Sequence, residues 1–150
     1  MGKISGTINK ELLENLFREF NSAYFSGELK RCKCSVLYGN HELGVYTHRK
    51  NSKGAIDGRI WIAKNVNWTI RSLTTVFVHE MVHHWVWQTY GGGSGIMGHG
   101  WRFMKKCREL NKIHGLNLKR VNPEIYRKNE KIPTTRFGRL LRYVKKSLYL

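Results

Sequence analysis

The residues best suited to chemistry form one pentad near the middle of the chain, His79-Glu80-Met81-Val82-His83. On a helix, the i, i+4 spacing brings both imidazoles to one face, where two nitrogens can bind the same metal ion. Neutral imidazoles suit zinc, and a nearby carboxylate that is not a ligand can take the proton of an attacking water. The pentad therefore predicts a zinc site with Glu80 as the catalytic base.

A catalytic zinc site of this kind needs a third protein ligand from elsewhere in the chain. His99 follows the glycine-rich stretch 91–100, and a helix crossing beneath the pentad would deliver it at its N-terminal end. Glu109 is the alternative, because a downstream helix can also supply a glutamate ligand. His84 lies about 100° around the helix from His83, which makes it a weaker candidate. The other weaker candidates are His41, His48 and His114.

The elements that must position these residues can be read from their apolar patterns. The segment around the pentad is apolar on nearly every side, which predicts a buried helix from about residue 68 to 90. Buried His and Glu side chains would be costly there unless they were paired or bound to metal.

An amphipathic helix is predicted over 8–25 with Thr7 as its N-cap, and another over 100–114. Three segments rich in Val, Tyr, Ile and Trp predict a small sheet: 31–38, 44–49 and 58–64.

Together these elements predict an α+β fold, in which a small mixed sheet packs on the pentad helix and two further helices support it. With 150 residues, the chain fits one compact domain. We assign the domain to residues 1–114 and a basic extension to residues 115–150. Within the extension, residues 136–148 repeat apolar side chains at helical spacing and predict an amphipathic helix.

The charge of the chain favours a polyanionic partner. Lys and Arg number 27 against 10 Asp and Glu, for a formal net charge of +17. This excess is far beyond what solubility requires and favours DNA, single-stranded or otherwise, although a merely solvated basic surface is the alternative. The candidate nucleic-acid contacts are cations of the extension: Lys119, Arg120, Arg127, Lys128, Arg136, Arg139, Arg142, Lys145 and Lys146.

The cysteines and the N-terminal sequence bear on the cellular location of the protein. Cys32, Cys34 and Cys107 cannot all pair, so reduced thiols are expected. The first twenty residues lack the apolar segment of a secretory signal, and no run of residues is long enough to span a bilayer. The sequence therefore predicts a cytoplasmic monomer, at the nucleoid or otherwise DNA-associated, with no membrane contact.

Three motifs, in their order along the chain, resemble those of the SprT-like zinc metallopeptidase family, which includes the SprT and Spartan proteases. An N-terminal helix ends in NSAYFSGEL at 21–29, followed by H-E-M-x-H at 79–83 and G-H-G-x-x-F at 98–103. The resemblance covers about residues 8–114 and implies a zincin-like metallopeptidase domain. It also implies a role for each site residue: His79, His83 and His99 as zinc ligands and Glu80 as the catalytic base.

The resemblance further implies an endopeptidase that acts on protein substrates associated with DNA. In zincin-like folds an edge strand often pairs with the substrate backbone, and 59–64 is our candidate, with Trp61 and Ile62 as substrate-binding residues. The pattern fits an ordinary core strand equally well. No cysteine follows Cys107, so the zinc ribbon of many family members is absent and one zinc ion per chain is expected. The alternative function is a nucleic-acid-binding module with a structural zinc and no protease activity.

Overall fold

Three helices and three strands make up the part of the chain that the structure, a computed structural model, describes: residues 7–40, 42–92, 95 and 98–120. The elements follow the order α1 (Lys10–Phe25), β1 (Cys32–Leu37), β2 (Gly44–Lys50), β3 (Ile56–Ala63), α2 (Ile70–Tyr90) and α3 (Trp101–His114). This arrangement confirms the predicted α+β class. The helix predicted over 136–148 lies outside the described residues.

The sheet is mixed, as predicted, but its strand order corrects one prediction. The order is β1-β3-β2, with β1 parallel and β2 antiparallel to β3. Trp61 pairs with Ser35 on one side and with Val45 on the other. The prediction that 59–64 forms a substrate-binding edge strand is therefore wrong, because both sides of Trp61 and Ile62 are already in hydrogen-bonded ladders. The described edge strands are β1 and β2.

The first helix begins two residues later than the apolar pattern indicates. Asn9, and not Thr7, is the N-cap: its Oδ1 accepts a hydrogen bond from the backbone N–H of Leu12 at 2.9 Å. Asn and Thr are both favoured at this position, so residue type alone did not distinguish them. The buried residues of α1, Leu13, Phe17 and Phe25, hold the helix on the core.

The central helix α2 begins and ends at clear capping signals. Thr69 and Ser72 form a capping box, and Gly91, with φ of 71°, ends the helix in the left-handed region. The buried residues of α2 run from Leu73 to Val86, so the helix crosses the core. Neither α2 nor another described helix has the combination of length and apolar character that a membrane span requires.

The chain after α3 stays with the core as far as the structure describes it. Gly115, with φ of 66°, ends α3 in the left-handed region. Leu118 is only 3% exposed, and Leu116 packs against the same core. Leu116 and Leu118, in the segment that the sequence pattern assigned to the basic extension, therefore pack against the core of the domain.

Candidate metal centre

Three buried histidines meet at the middle of α2. His79 and His83 lie one turn apart on α2, and His99 lies just before α3. The Nε2 atom of His99 is 3.1 Å from Nε2 of His79 and 3.0 Å from Nε2 of His83. One possible ligand atom from each of the three lies within 4.8 Å of the others. The structure thus brings together the three histidines that the sequence singled out.

Glycines and Arg102 place His99 opposite α2. Gly98, with φ of 74°, turns the chain immediately before His99, and Gly95 could not carry a side chain because its Cβ would lie 2.9 Å from Gly100 Cα. The guanidinium of Arg102 lies 4.4 Å from the centre of the Tyr90 ring, at the end of α2. The start of α3 is therefore tied to the end of α2, which brings His99 to the other two histidines.

Phe103 lies against all three imidazoles. Its ring centre is 4.9 Å from that of His79, 4.5 Å from that of His83 and 4.8 Å from that of His99. Phe103 is itself fully buried. An apolar ring in this position shields one side of the three histidines from water and limits the rotation of their rings.

The arrangement of nitrogens fits a cation. Nδ1 of His79 lies 3.2 Å from the carbonyl oxygen of Lys119, and since a carbonyl only accepts, this Nδ1 carries the proton and Nε2 carries a lone pair. Nε2 of His99 is either a donor or an acceptor, so it cannot satisfy both His79 and His83. A single N–H on His99 can point at only one of the two neighbouring nitrogens, so at least one of the two short contacts lacks a well-aligned hydrogen bond unless a cation lies between the nitrogens. A tetrahedral zinc ion separates its nitrogen ligands by roughly 3.3 Å, close to the distances found here.

The protonation state of the histidines also suits a metal. Burial lowers the pKa of His79 to about 3 and that of His99 to about 4, the latter with a contribution from the charge of Arg120. Burial holds the pKa of His83 well below its usual range. All three imidazoles are therefore neutral at pH 7, which is the form that binds metal.

Glu80 has a buried carboxyl group without a hydrogen-bond partner among the described residues. Neither of its oxygens has a partner among the described residues, and its side chain is fully buried. Burial raises the pKa of Glu80 well above its usual range. A buried carboxyl group left unpaired is costly, and such groups are concentrated at sites where they take up and release protons.

The structure places the rival third ligand away from this centre. The carboxylate of Glu109 forms an ion pair with Lys106 at 2.9 Å, and 48% of the Glu109 side chain is exposed. His48 stacks on Trp87, with 3.4 Å between the ring centres. Within the described residues, none of these joins the group of possible metal ligands. His114 lies against Tyr24, and His41 is outside the described residues.

His84 has hydrogen-bond partners of its own. Nε2 of His84 donates to the carbonyl oxygen of Lys30 at 3.0 Å, and the hydroxyl of Tyr46 donates to Nδ1 at 2.8 Å. The ring of Tyr46 is also nearly parallel to that of His83, at 6.3 Å between centres. Tyr46 was not singled out in the sequence, where a tyrosine in a short strand segment gives no sign of its contacts.

Of the predicted nucleic-acid contacts, the first two lie beside the metal centre. Lys119 contributes its carbonyl to His79, and the charge of Arg120 acts on His99. The remaining candidates lie outside the described residues: Arg127, Lys128, Arg136, Arg139, Arg142, Lys145 and Lys146.

Of the predicted substrate-binding pair, Ile62 is fully buried in the central strand. Strand β2, and not β3, lies beside the candidate site. Its Gly44 lies against Glu80, and the ring of its Tyr46 lies beside the ring of His83.

Comparison with known proteins bears on the same region. The sequence model of the SprT-like family matches residues 13–127, a span that includes the pentad, His99 and Lys119. This match confirms the resemblance drawn from the motifs. A search of curated proteins found no match. The family match and the three-histidine group are consistent with a metallopeptidase-like role.

Proposed function

This chain belongs to the SprT-like family, and we propose that it is a zinc-dependent endopeptidase of zincin-like fold that acts on DNA-associated proteins. The observation that carries the proposal is the buried group His79, His83 and His99 beside the unpartnered Glu80. His79, His83 and His99 would hold a zinc ion, which would supply Lewis-acid chemistry for hydrolysis of a peptide bond. Among the described residues the group offers three ligands and no fourth, and an open position is typical of catalytic zinc sites.

Glu80 is proposed as the general base. It lies between the two α2 histidines in the sequence, and the absence of a hydrogen-bond partner leaves its oxygens available to a water in the site. Burial raises the pKa of Glu80, which makes its ionised form a stronger base, and the positive charge of a bound metal would favour that ionised form. The same carboxyl group can then return the proton taken from that water to the leaving amine, which completes hydrolysis.

For the substrate, we propose pairing with β2 in place of the central strand β3. Among the described strands, β2 lies at an edge of the sheet and pairs only with β3. It also passes the candidate site, since Gly44 lies against Glu80 and the Tyr46 ring lies beside His83. Pairing through main-chain groups tolerates varied side chains, which suits an endopeptidase with many protein substrates.

The proposed DNA association rests on charge. The net charge of +17 attracts a polyanion, and bound DNA would raise the local concentration of the proteins attached to it. The same charge supports the second candidate function, a nucleic-acid-binding module with a structural zinc. The unpartnered Glu80 favours the enzyme, because a structural site has no use for a buried, uncompensated carboxyl group.

The test is digestion of casein and of histones by the full chain, with and without DNA, together with metal analysis. We expect one zinc per chain, cleavage that stops on removal of the metal, and recovery when zinc is returned. Histone cleavage that rises with DNA while casein cleavage does not would support the DNA-associated substrate class. A zinc-loaded, folded chain that cleaves neither protein under any DNA condition would favour the nucleic-acid-binding module.

A further inference from the structure

Two asparagines each hold a buried leucine next to a histidine of α2, and the first is Asn111 on α3. Its Nδ2 donates to the carbonyl of Leu118 at 2.9 Å, and its Oδ1 accepts from the N–H of Leu118 at 2.7 Å. Leu118 is 3% exposed, so both its backbone groups and its side chain are held. The carbonyl of the next residue, Lys119, accepts the hydrogen bond from Nδ1 of His79 at 3.2 Å.

The second asparagine, Asn21 on α1, repeats this arrangement. Its amide makes the same two hydrogen bonds with the backbone of Leu29, both at 3.0 Å. Leu29 is 5% exposed, and the carbonyl of the next residue, Lys30, accepts from Nε2 of His84 at 3.0 Å. In both cases a helix asparagine fixes a buried leucine, and the following carbonyl binds a histidine of α2.

We propose that Asn111 is a positioning residue for metal binding, acting through the Lys119 carbonyl on the imidazole of His79. This inference rests on the proposed role of the three histidines as metal ligands. The carbonyl keeps the His79 proton on Nδ1, so Nε2 presents its lone pair towards the other two histidines. A hydrogen bond to the remote nitrogen fixes the ring orientation and raises the basicity of the ligand nitrogen.

The segment depends on Asn111 because it has no regular hydrogen-bonded structure of its own. Residues 115–119 belong to neither a helix nor a strand, and they follow the left-handed turn at Gly115. The side-chain amide supplies both an acceptor for the N–H and a donor for the carbonyl of the same residue, Leu118, which an ionised aspartate or an alanine does not. Without Asn111, the Lys119 carbonyl would lose its fixed position relative to His79.

The matched pair of asparagines provides the experiment. The full chain is prepared as wild type, Asn111→Ala and Asn21→Ala, and zinc affinity is measured by competition with a chromogenic chelator. Asn21→Ala is the control because it removes the same two hydrogen bonds next to His84, which is not in the metal-ligand group. The thermal midpoint of each metal-free protein and the visible spectrum of each cobalt-substituted protein are recorded in parallel.

We expect Asn111→Ala to weaken zinc binding by about ten- to a hundredfold, the usual effect of losing an outer-shell partner of a ligand. Asn21→Ala should lower the metal-free thermal midpoint to a similar extent and keep the wild-type zinc affinity. The cobalt spectrum should change only in Asn111→Ala, since a general loss of stability does not alter the geometry of the ligands. Should Asn111→Ala fail to fold, Asn111→Asp is compared with Asn21→Asp, because aspartate keeps the acceptor and loses the donor.

Wild-type zinc affinity in Asn111→Ala would overturn this inference and leave the proposed enzyme intact. Equal weakening in the two variants would also overturn it, because the effect would then follow stability alone. A folded wild-type chain that binds no zinc would remove the proposed metal site and this inference together. The three outcomes separate failure of the positioning role from failure of the proposed function.

Discussion

Gly44 of β2 lies directly against the side chain of Glu80: a β-carbon added at Gly44 would be 3.0 Å from Glu80 Oε1 and 3.0 Å from its Cγ. A glycine is needed at position 44 because β2 passes so close to the Glu80 side chain, and not because the backbone there adopts unusual angles. Because Glu80 is fully buried, its side chain has little room to give way. The position of the proposed base therefore depends on the absence of a side chain at Gly44.

The first prediction is that Gly44→Ala retains zinc but loses part of the peptidase activity. The added methyl group must move the Glu80 side chain by a few tenths of an ångström, and since misplacement of a catalytic group by about 1 Å can cost roughly a hundredfold in rate, we expect a smaller fall in kcat. Zinc content and kcat for a peptide substrate are the measurements. Gly92→Ala is the control, since a Cβ there meets only the Trp87 ring at 3.7 Å. Equal activity in both variants would mean that Glu80 does not act from this position.

The second prediction is that Glu80→Gln keeps the fold and the zinc and loses proteolysis. The amide preserves the shape of the side chain and cannot take a proton from water, so kcat should fall by about a hundredfold to ten-thousandfold. Glu109→Gln, which alters an ion-paired carboxylate outside the metal centre, should keep wild-type activity. Wild-type turnover in Glu80→Gln would assign the base to another group.

The third prediction concerns the third ligand. His99→Ala should lower the zinc content sharply, because it removes one of three converging Nε2 atoms. Glu109→Ala should leave the zinc content at one per chain, since its carboxylate pairs with Lys106. Metal analysis of the two purified variants distinguishes them, and the reverse pattern would transfer the ligand role to Glu109.

The fourth prediction is that Gly58→Ala destabilises the fold beside the metal centre. A Cβ at Gly58 would lie 2.5 Å from Nδ1 of His84, a ring held on two sides by Tyr46 and Lys30. Overpacking of this kind costs about 1–3 kcal/mol, more than the few tenths to 1 kcal/mol gained when alanine replaces glycine in the unfolded chain. Denaturant unfolding measures the loss. In a His84→Ala background the added methyl group should cost less, and additive effects of the two changes would contradict the proposed clash.

The local parts of the site were predictable from the sequence, and the long-range parts were not. His79, Glu80 and His83 lie on one helix, so their relative positions follow from helical spacing alone. The edge position of 59–64 was predicted wrongly because an apolar segment such as β3 has the same pattern in the centre of a sheet as at its edge. The contact between His79 and the Lys119 carbonyl had no signal at all, since every residue carries a carbonyl.

The last prediction is that the metal-free protein loses stability as the pH falls below about 6.5, the ordinary pKa of histidine. In the folded state, burial lowers the pKa of His79 to about 3 and that of His99 to about 4, so both stay neutral while their unfolded counterparts take up protons. The unfolded state then binds more protons, and the free energy of unfolding decreases with falling pH, by up to about 1.4 kcal/mol per pH unit for each group.

Glu80 acts in the opposite direction, because its raised pKa lets the folded state hold a proton that the unfolded state has released, so stability is lost as pH rises. The measurement is therefore made in Glu80→Gln, by urea unfolding of the metal-free protein between pH 7 and the onset of acid unfolding. Adding His99→Gln should reduce the dependence of the free energy of unfolding on pH by up to the equivalent of one proton. An unchanged slope with His99→Gln would show that His99 does not stay neutral in the folded protein.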